Sequence, residues 1–460
     1  MATWMSTLFR KKSHLSGRES QSLRRCLNAL DLTFLGIGAV IGAGIFVLTG
    51  IAAATRAGPA IVISFILSGL TCSFAAMSYA ELASSVGGCG SAYSYAYVGL
   101  GEFPAWIIGW DLILEYALSV SAVAVGWSEY FDSILKSMGM QVSPLLQNGP
   151  LEGGIVNLPA MAIIFIISIL LAIGVKSSAR FNTFIVFIKL AVIILFVIVA
   201  SMNMDPKNWH PFFPFGWTGV AGGAALIFFA YIGFDAVSTA AEEVINPQRT
   251  LPIGIIASLL VCTLIYIIVA GLLTGMVPYS TLNVSSPISD VLLRFGYRFV
   301  AGTVSVGAIA GLTTVILVMY YGLTRVFLAM SRDRLLPDFF ASVHPRTQTP
   351  VRIILSSGLV MGCISGFIPI KDLAELVNIG TLTAFIVVCL GVMILRRTHP
   401  HMYRSFKTPI SPLIPILGVA FCLYLTLSLP QETWVRFFVW LLLGCIIYFS
   451  YSRKRSKLHF

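Results

Sequence analysis

Apolar runs long enough to cross a bilayer follow one another from residue 31 to residue 452, separated by short polar or basic breaks. A helix needs about 20 such residues to span the hydrocarbon, where every backbone amide and carbonyl must find a partner within the protein. With 57% hydrophobic and 11% charged residues, a soluble globular fold is excluded. The chain reads as one all-α polytopic membrane domain. Twelve transmembrane helices are expected, at about 31–54, 58–83, 103–131, 156–175, 181–201, 217–241, 251–277, 300–331, 350–368, 372–396, 409–430 and 433–452. The domain plan is a basic tail at 1–28, a membrane domain at 29–452 and a basic tail at 453–460. The polar, basic first 25 residues lead into no short apolar run with a small-residue cleavage site, so no cleavable signal is expected.

The formal net charge of +11 would suit a nucleic-acid partner, but its distribution argues for the lipid bilayer instead. Basic residues crowd 10–25, 325–352, 396–407 and 453–457, between spans. With loops assigned alternately, 22 of the 30 Lys and Arg residues fall on the side of the N-terminus and seven on the other. The remaining one, Lys189, lies inside a span. The positive-inside rule then places both termini in the cytoplasm of a cell (plasma or inner) membrane protein. Of eight cysteines, Cys72, Cys262, Cys363, Cys389, Cys422 and Cys445 sit in apolar runs as small packing residues, and no pair has metal-ligand spacing. The six histidines all lie in tails or loops, away from the buried acids. Neither an enzyme site nor a metal or other cofactor is expected.

The spans are not uniform. Residues 35–50 carry five glycines, Gly36, Gly38, Gly42, Gly44 and Gly50. Gly38 and Gly42 suit close helix packing, whereas Gly42-Ala43-Gly44 favours an open backbone. Such a break is tolerated only against a protein-lined cavity, where the next half-helix offers free amides to a carboxylate. Gly50 lies beyond the break and is expected to tolerate a methyl group. About 190 residues later, Ile227 to Asp235 contains a second glycine interruption at Gly233. Paired Gly-interrupted spans at matching positions point to an inverted-repeat transporter with its site at the midplane. Three connections look structured. Gly87 to Gly90 and Ser91 to Tyr97 predict a turn and an interfacial aromatic helix, 285–298 an outer helix, and Leu335 to Val343 a cytoplasmic one.

Ionisable residues inside spans are functional hypotheses by default. Lys189 lies mid-span; its amine must be met by carbonyls or a carboxylate, or give up its proton, and it reads as a proton carrier or as a fixed charge bracing helices. Asp111 and Glu115 share one face of the third span; Asp111 reads as interfacial, whereas Glu115 is deep enough to face solute or an internal cation. Asp235 reads as stabilising the exposed amides of the second break. Glu242 and Glu243 read as gate or solvated charges.

The segments Gly36 to Phe46, Phe228 to Glu243, Asn246 to Ile255 and Ser331 to Pro337 together resemble the amino acid–polyamine–organocation superfamily, and specifically its bacterial cationic amino acid transporter branch. The likeness covers about residues 28–450. It implies a leucine-transporter-type fold of five-plus-five inverted repeats with broken helices 1 and 6. It also implies a substrate carboxylate on the amides of Gly42, Ala43 and Gly44, and an amino group on carbonyls of Val40 or Ile41 with Phe229, Ala230 and Ile232. The Phe229 ring would form the occluding lid. Lys189 matches a lysine that replaces an ion in sodium-driven cousins, which implies proton coupling. Two positions depart from the pattern: Ala43 stands where a hydroxyl is common, and Gly87 where a proline is usual.

The leading expectation is a proton-coupled permease importing amino acids, against an exchanger using the same site or a transporter-like receptor or partner subunit. The family resemblance also implies that Met319 lies at the side-chain end of the pocket, where flexible apolar bulk predicts small or medium neutral amino acids such as alanine. The alternative is a cationic substrate (arginine or lysine) paired with Glu115. Whether a small single-span membrane subunit packs outside is left open.

Overall fold

The computed structural model describes residues 10–11, 27–86, 91–140, 142–174, 179–235, 237 and 244–457. The rest of the basic tail up to residue 26, Gly87, Glu242 and Glu243 lie outside the described residues. Among these residues the structure is helical, apart from an isolated parallel bridge between Leu27 and Val244. Seven helical runs are long and apolar enough to cross a membrane, and five shorter apolar helices accompany them.

The first helix, α1 (Ala29–Val40), starts on a capping box: Asn28 accepts from the amides of Leu30 and Asp31, and Asp31 accepts from the Asn28 amide at 3.0 Å. It stops at Ile41, whose extended backbone (ψ 98°) cannot continue a helix. The chain resumes as a π-helical turn from Gly44 to Leu48 and stays helical to Ala57. A 3-10 turn then leads into α2 (Ile61–Val86). Next come α3 (Ser91–Gly99), α4 (Glu102–Ser137), α5 (Leu158–Ile173), α6 (Ala179–Asn203) and α7 (Gly216–Ile227). After α7 a 3-10 turn covers Phe228–Tyr231, Ile232 is extended, and Gly233 has φ +116°, a conformation that favours glycine. Both glycine-interrupted stretches therefore leave the α-helix, the first at Ile41 and the second after Ile227.

The second half comprises α8 (Pro247–Met276), α9 (Pro287–Arg294), α10 (Arg298–Arg332), α11 (Val351–Phe367), α12 (Ile370–Thr398), α13 (Leu413–Leu427) and α14 (Gln431–Ile447). The expected outer helix is α9. The expected cytoplasmic helix is only a 3-10 turn, Asp338–Ala341. α3 differs from expectation in its surroundings: Tyr93, Tyr95 and Tyr97 are buried rather than interfacial, with the Tyr93 hydroxyl bonded to Asp333 at 2.9 Å.

The broken ends are held by side chains from neighbouring helices, because carbonyls at a helix C-terminus lack intrahelical partners. Asn378 on α12 donates to the Ala225 and Leu226 carbonyls at 2.7 and 2.9 Å, at the end of α7. Ser64 and Ser68 on α2 fasten the same helix through the carbonyls of Val220 and Ala224.

Candidate functional site

The two breaks meet face to face. A side chain on Gly44 would run into the backbone of Ala230, so glycine is what allows the strands of opened backbone to touch. Gly233 is similarly enclosed, with the Met319 methyl 2.6 Å and the Ala39 carbonyl oxygen 3.0 Å from where a Cβ would stand. Between the breaks lies a small cavity lined by Ala39, Val40, Gly42 to Gly44, Phe229 and Ile232, closed by Ser119 and Val123 of α4 and by Val315 and Met319 of α10. Its walls leave room for about one water molecule.

Gly42 to Gly44 open the half-helix that follows, and its first backbone bond in this stretch runs from the Phe46 amide to the Gly42 carbonyl at 3.3 Å. Earlier amides of a helix have no intrahelical acceptor and favour an anion. On the opposite side, the last carbonyls of α1 are already engaged. Lys189 Nζ donates to Gly38 at 2.7 Å and to Ile41 at 2.9 Å. The Tyr266 hydroxyl lies 2.9 Å from the Val40 carbonyl oxygen and 2.8 Å from that of Ala230. A hydroxyl carries one hydrogen, so Tyr266 ties both breaks together while fully satisfying one carbonyl at a time.

Lys189 is fully buried. Gly311 on α10 makes room for its stem: a Cβ there would stand 2.7 Å from the lysine Cε and 3.0 Å from its Cγ. Asn182, seven residues earlier on α6, is buried against Gly38, where its amide atoms stand 2.9 Å from a notional Cβ.

The carboxylates form a second layer. The Tyr116 hydroxyl donates to Asp235 at 2.8 Å. Glu115 is buried, with Asp235, Asp111 and Thr381 as polar neighbours, and does not line the cavity. Asp111 is also buried, against Gly380 of α12. Its position on the face shared with Glu115 places it against α12 rather than at the surface. Ile41 and Ala230 touch the site through backbone groups and are not part of the cavity wall. Gly50 also departs from expectation: a methyl group there would stand 2.6 Å from Pro287 and 2.7 Å from the Leu282 carbonyl oxygen.

Residues that the reading of the chain missed include Tyr266, Ser119, Gly311 and Asn378. All are polar groups or glycines inside apolar helices, a signal that composition alone cannot rank.

A family model described as amino acid permease matches residues 27–451. The methylthioribose transporter of Bacillus subtilis (strain 168) is 52% identical, over 99% of this chain and 100% of its own length. The branched-chain amino acid permease BcaP of the same organism is 50% identical, over 98% of this chain and 99% of its own. The vacuolar cationic amino acid transporter 4 of Arabidopsis thaliana is 37% identical, over 86% and 68% respectively. A chain with a matching family model over nearly its whole length, relatives at half identity, and apolar helices able to cross a membrane belongs to the amino acid permease family.

Proposed function

We propose that this chain imports small or medium neutral L-amino acids through a cell membrane by proton-coupled alternating access. The proposal places twelve spans in two inverted five-helix repeats, with both termini in the cytoplasm. The solute's carboxylate rests on the amides of Gly42, Ala43 and Gly44, Phe229 closes over it, and Lys189 carries the coupling proton.

The observation that carries this reading is the cavity wall. It holds no charged side chain, and Met319 fills its lower end. A guanidinium or ammonium forced against that wall would lose its hydration without a partner. Glu115, the acid a cationic substrate would need, is not among the residues lining the cavity. The name of the branched-chain permease relative supports a neutral amino acid.

A second reading rests on the relative named as a methylthioribose transporter. Methylthioribose is an uncharged thioether sugar with no carboxylate, and an apolar wall beside a methionine suits a thioether.

Uptake into proteoliposomes under an imposed inward proton gradient separates these readings. Labelled alanine should accumulate, valine should compete, and arginine should not. Arginine uptake with no competition by alanine would restore the cationic reading. Methylthioribose uptake without amino acid uptake would establish the second reading. Uptake that requires amino acid preloaded inside, and ignores the proton gradient, would identify an exchanger.

A further inference from the structure

Ser119 is the one polar side chain among the residues lining the cavity. It is 2% exposed, and its Oγ has no hydrogen-bond partner among the described residues. Serine in an apolar helix ordinarily bonds back to the carbonyl four residues earlier. Two residues along the same helix, Ser121 does so, to Ala117 at 2.9 Å, as Ser73 of α2 does to Gly69 at 2.7 Å. Ser119 forgoes that bond and lies in the cavity wall instead.

The register of the two helices gives its height in the cavity. α4 and α10 run antiparallel, with Gly109 against Met330, Tyr116 against Gly322, and Trp127 donating to Thr313 at 3.1 Å. Between those points Ser119 falls level with Met319, and Val123 level with Val315. Val315 packs on Gly42, at 3.3 Å from a notional Cβ, beside the amides. Met319, one turn further along α10, packs on Gly233, below them. The cavity therefore has an amide layer and a lower layer, and the Ser119 hydroxyl belongs to the lower one.

We infer that Ser119 hydrogen-bonds a hydroxyl on the side chain of the solute, making this cavity selective for β-hydroxy amino acids over apolar isosteres. The inference rests on the proposed placement of the carboxylate on the amides, which directs the solute's side chain to the lower layer. A buried hydroxyl left unmatched is costly, and a site built to bond one discriminates against a ligand lacking it. Threonine and valine have nearly the same shape and differ by hydroxyl against methyl, so they isolate this term.

The test is inhibition of labelled alanine uptake by threonine and by valine, in the unmodified protein and in Ser119→Ala. Threonine should inhibit about tenfold more tightly than valine, the value of one net hydrogen bond. The preference should collapse to near parity in Ser119→Ala. Should that variant not fold, the pair of isosteres in the unmodified protein still decides. Equal inhibition by both would mean that water satisfies Ser119 and would overturn the inference, as would a preference unchanged in the variant. Those outcomes leave amino acid transport standing. Absence of any alanine uptake would remove the transport reading and the inference with it.

Discussion

Lys189 Nζ lies 2.7 Å from the carbonyl oxygen of Gly38, and so fastens α6 to the last turn of α1 before the chain opens. The same amine reaches the Ile41 carbonyl at 2.9 Å, across the break itself. A change in the charge or position of this one group must be felt by the backbone that precedes Gly42. That geometry is the basis of the proposed role of Lys189 in coupling a proton to the opening of the first helix.

Lys189→Ala should abolish uptake driven by a pH gradient while leaving a folded protein. Removing the donor leaves two buried carbonyls short of a partner, each costing about 1–3 kcal/mol, so melting in detergent should also occur at lower temperature. Undiminished pH-driven uptake would rule out the proton-carrier role.

Gly311→Ala should reproduce part of the Lys189→Ala phenotype without touching the lysine. Its new methyl would press on Cε, Cγ and Cδ of Lys189, and overpacking of that kind costs about 1–3 kcal/mol. Gly302→Ala on the same helix meets nothing within 4 Å and serves as the control. Equal melting temperatures and equal uptake in the two variants would mean that the lysine stem can move aside freely.

Gly44→Val should eliminate solute binding, because even its Cβ collides with the Ala230 backbone where the two breaks touch. Gly50→Ala should also be harmful, through Pro287 and the Leu282 carbonyl, but by displacing α9 rather than by closing the cavity. The distinguishing measurement is alanine binding to purified protein: absent in Gly44→Val, retained with lowered thermal stability in Gly50→Ala. Tight binding in Gly44→Val would contradict the carboxylate assignment.

Met319→Ser should widen the lower layer of the cavity and admit arginine. Removing the methionine from this wall vacates several methylenes of space and supplies a second hydroxyl beside Ser119. Competition of arginine against labelled alanine should become measurable in the variant. Continued exclusion of arginine would place the selective barrier elsewhere than at Met319.

Much of this architecture was legible in the chain. Hydrocarbon leaves a backbone few options, so apolar runs of sufficient length had to be helices. Gly42-Ala43-Gly44 and Gly233 marked the breaks because an interrupted helix inside a membrane needs an enclosed surface to face. Lys189 stood out for a similar reason: a lone amine in an apolar span demands acceptors, and the nearest unsatisfied carbonyls belong to a broken helix.

Tertiary structure decided what those residues meet. Register between distant helices sets Ser119 level with Met319, keeps Glu115 out of the cavity lining, and hides Asp111 against Gly380. The Tyr266 hydroxyl bridges Val40 and Ala230 only because three segments far apart in sequence converge on one point. Gly50 looked dispensable from its neighbours in the chain and proves to be pinned by Pro287, 237 residues away. Local sequence carries periodicity and the cost of burying a charge, which select helices and single out exceptional residues. It does not carry the rotation and height of one helix against another, which packing settles only when the whole bundle closes.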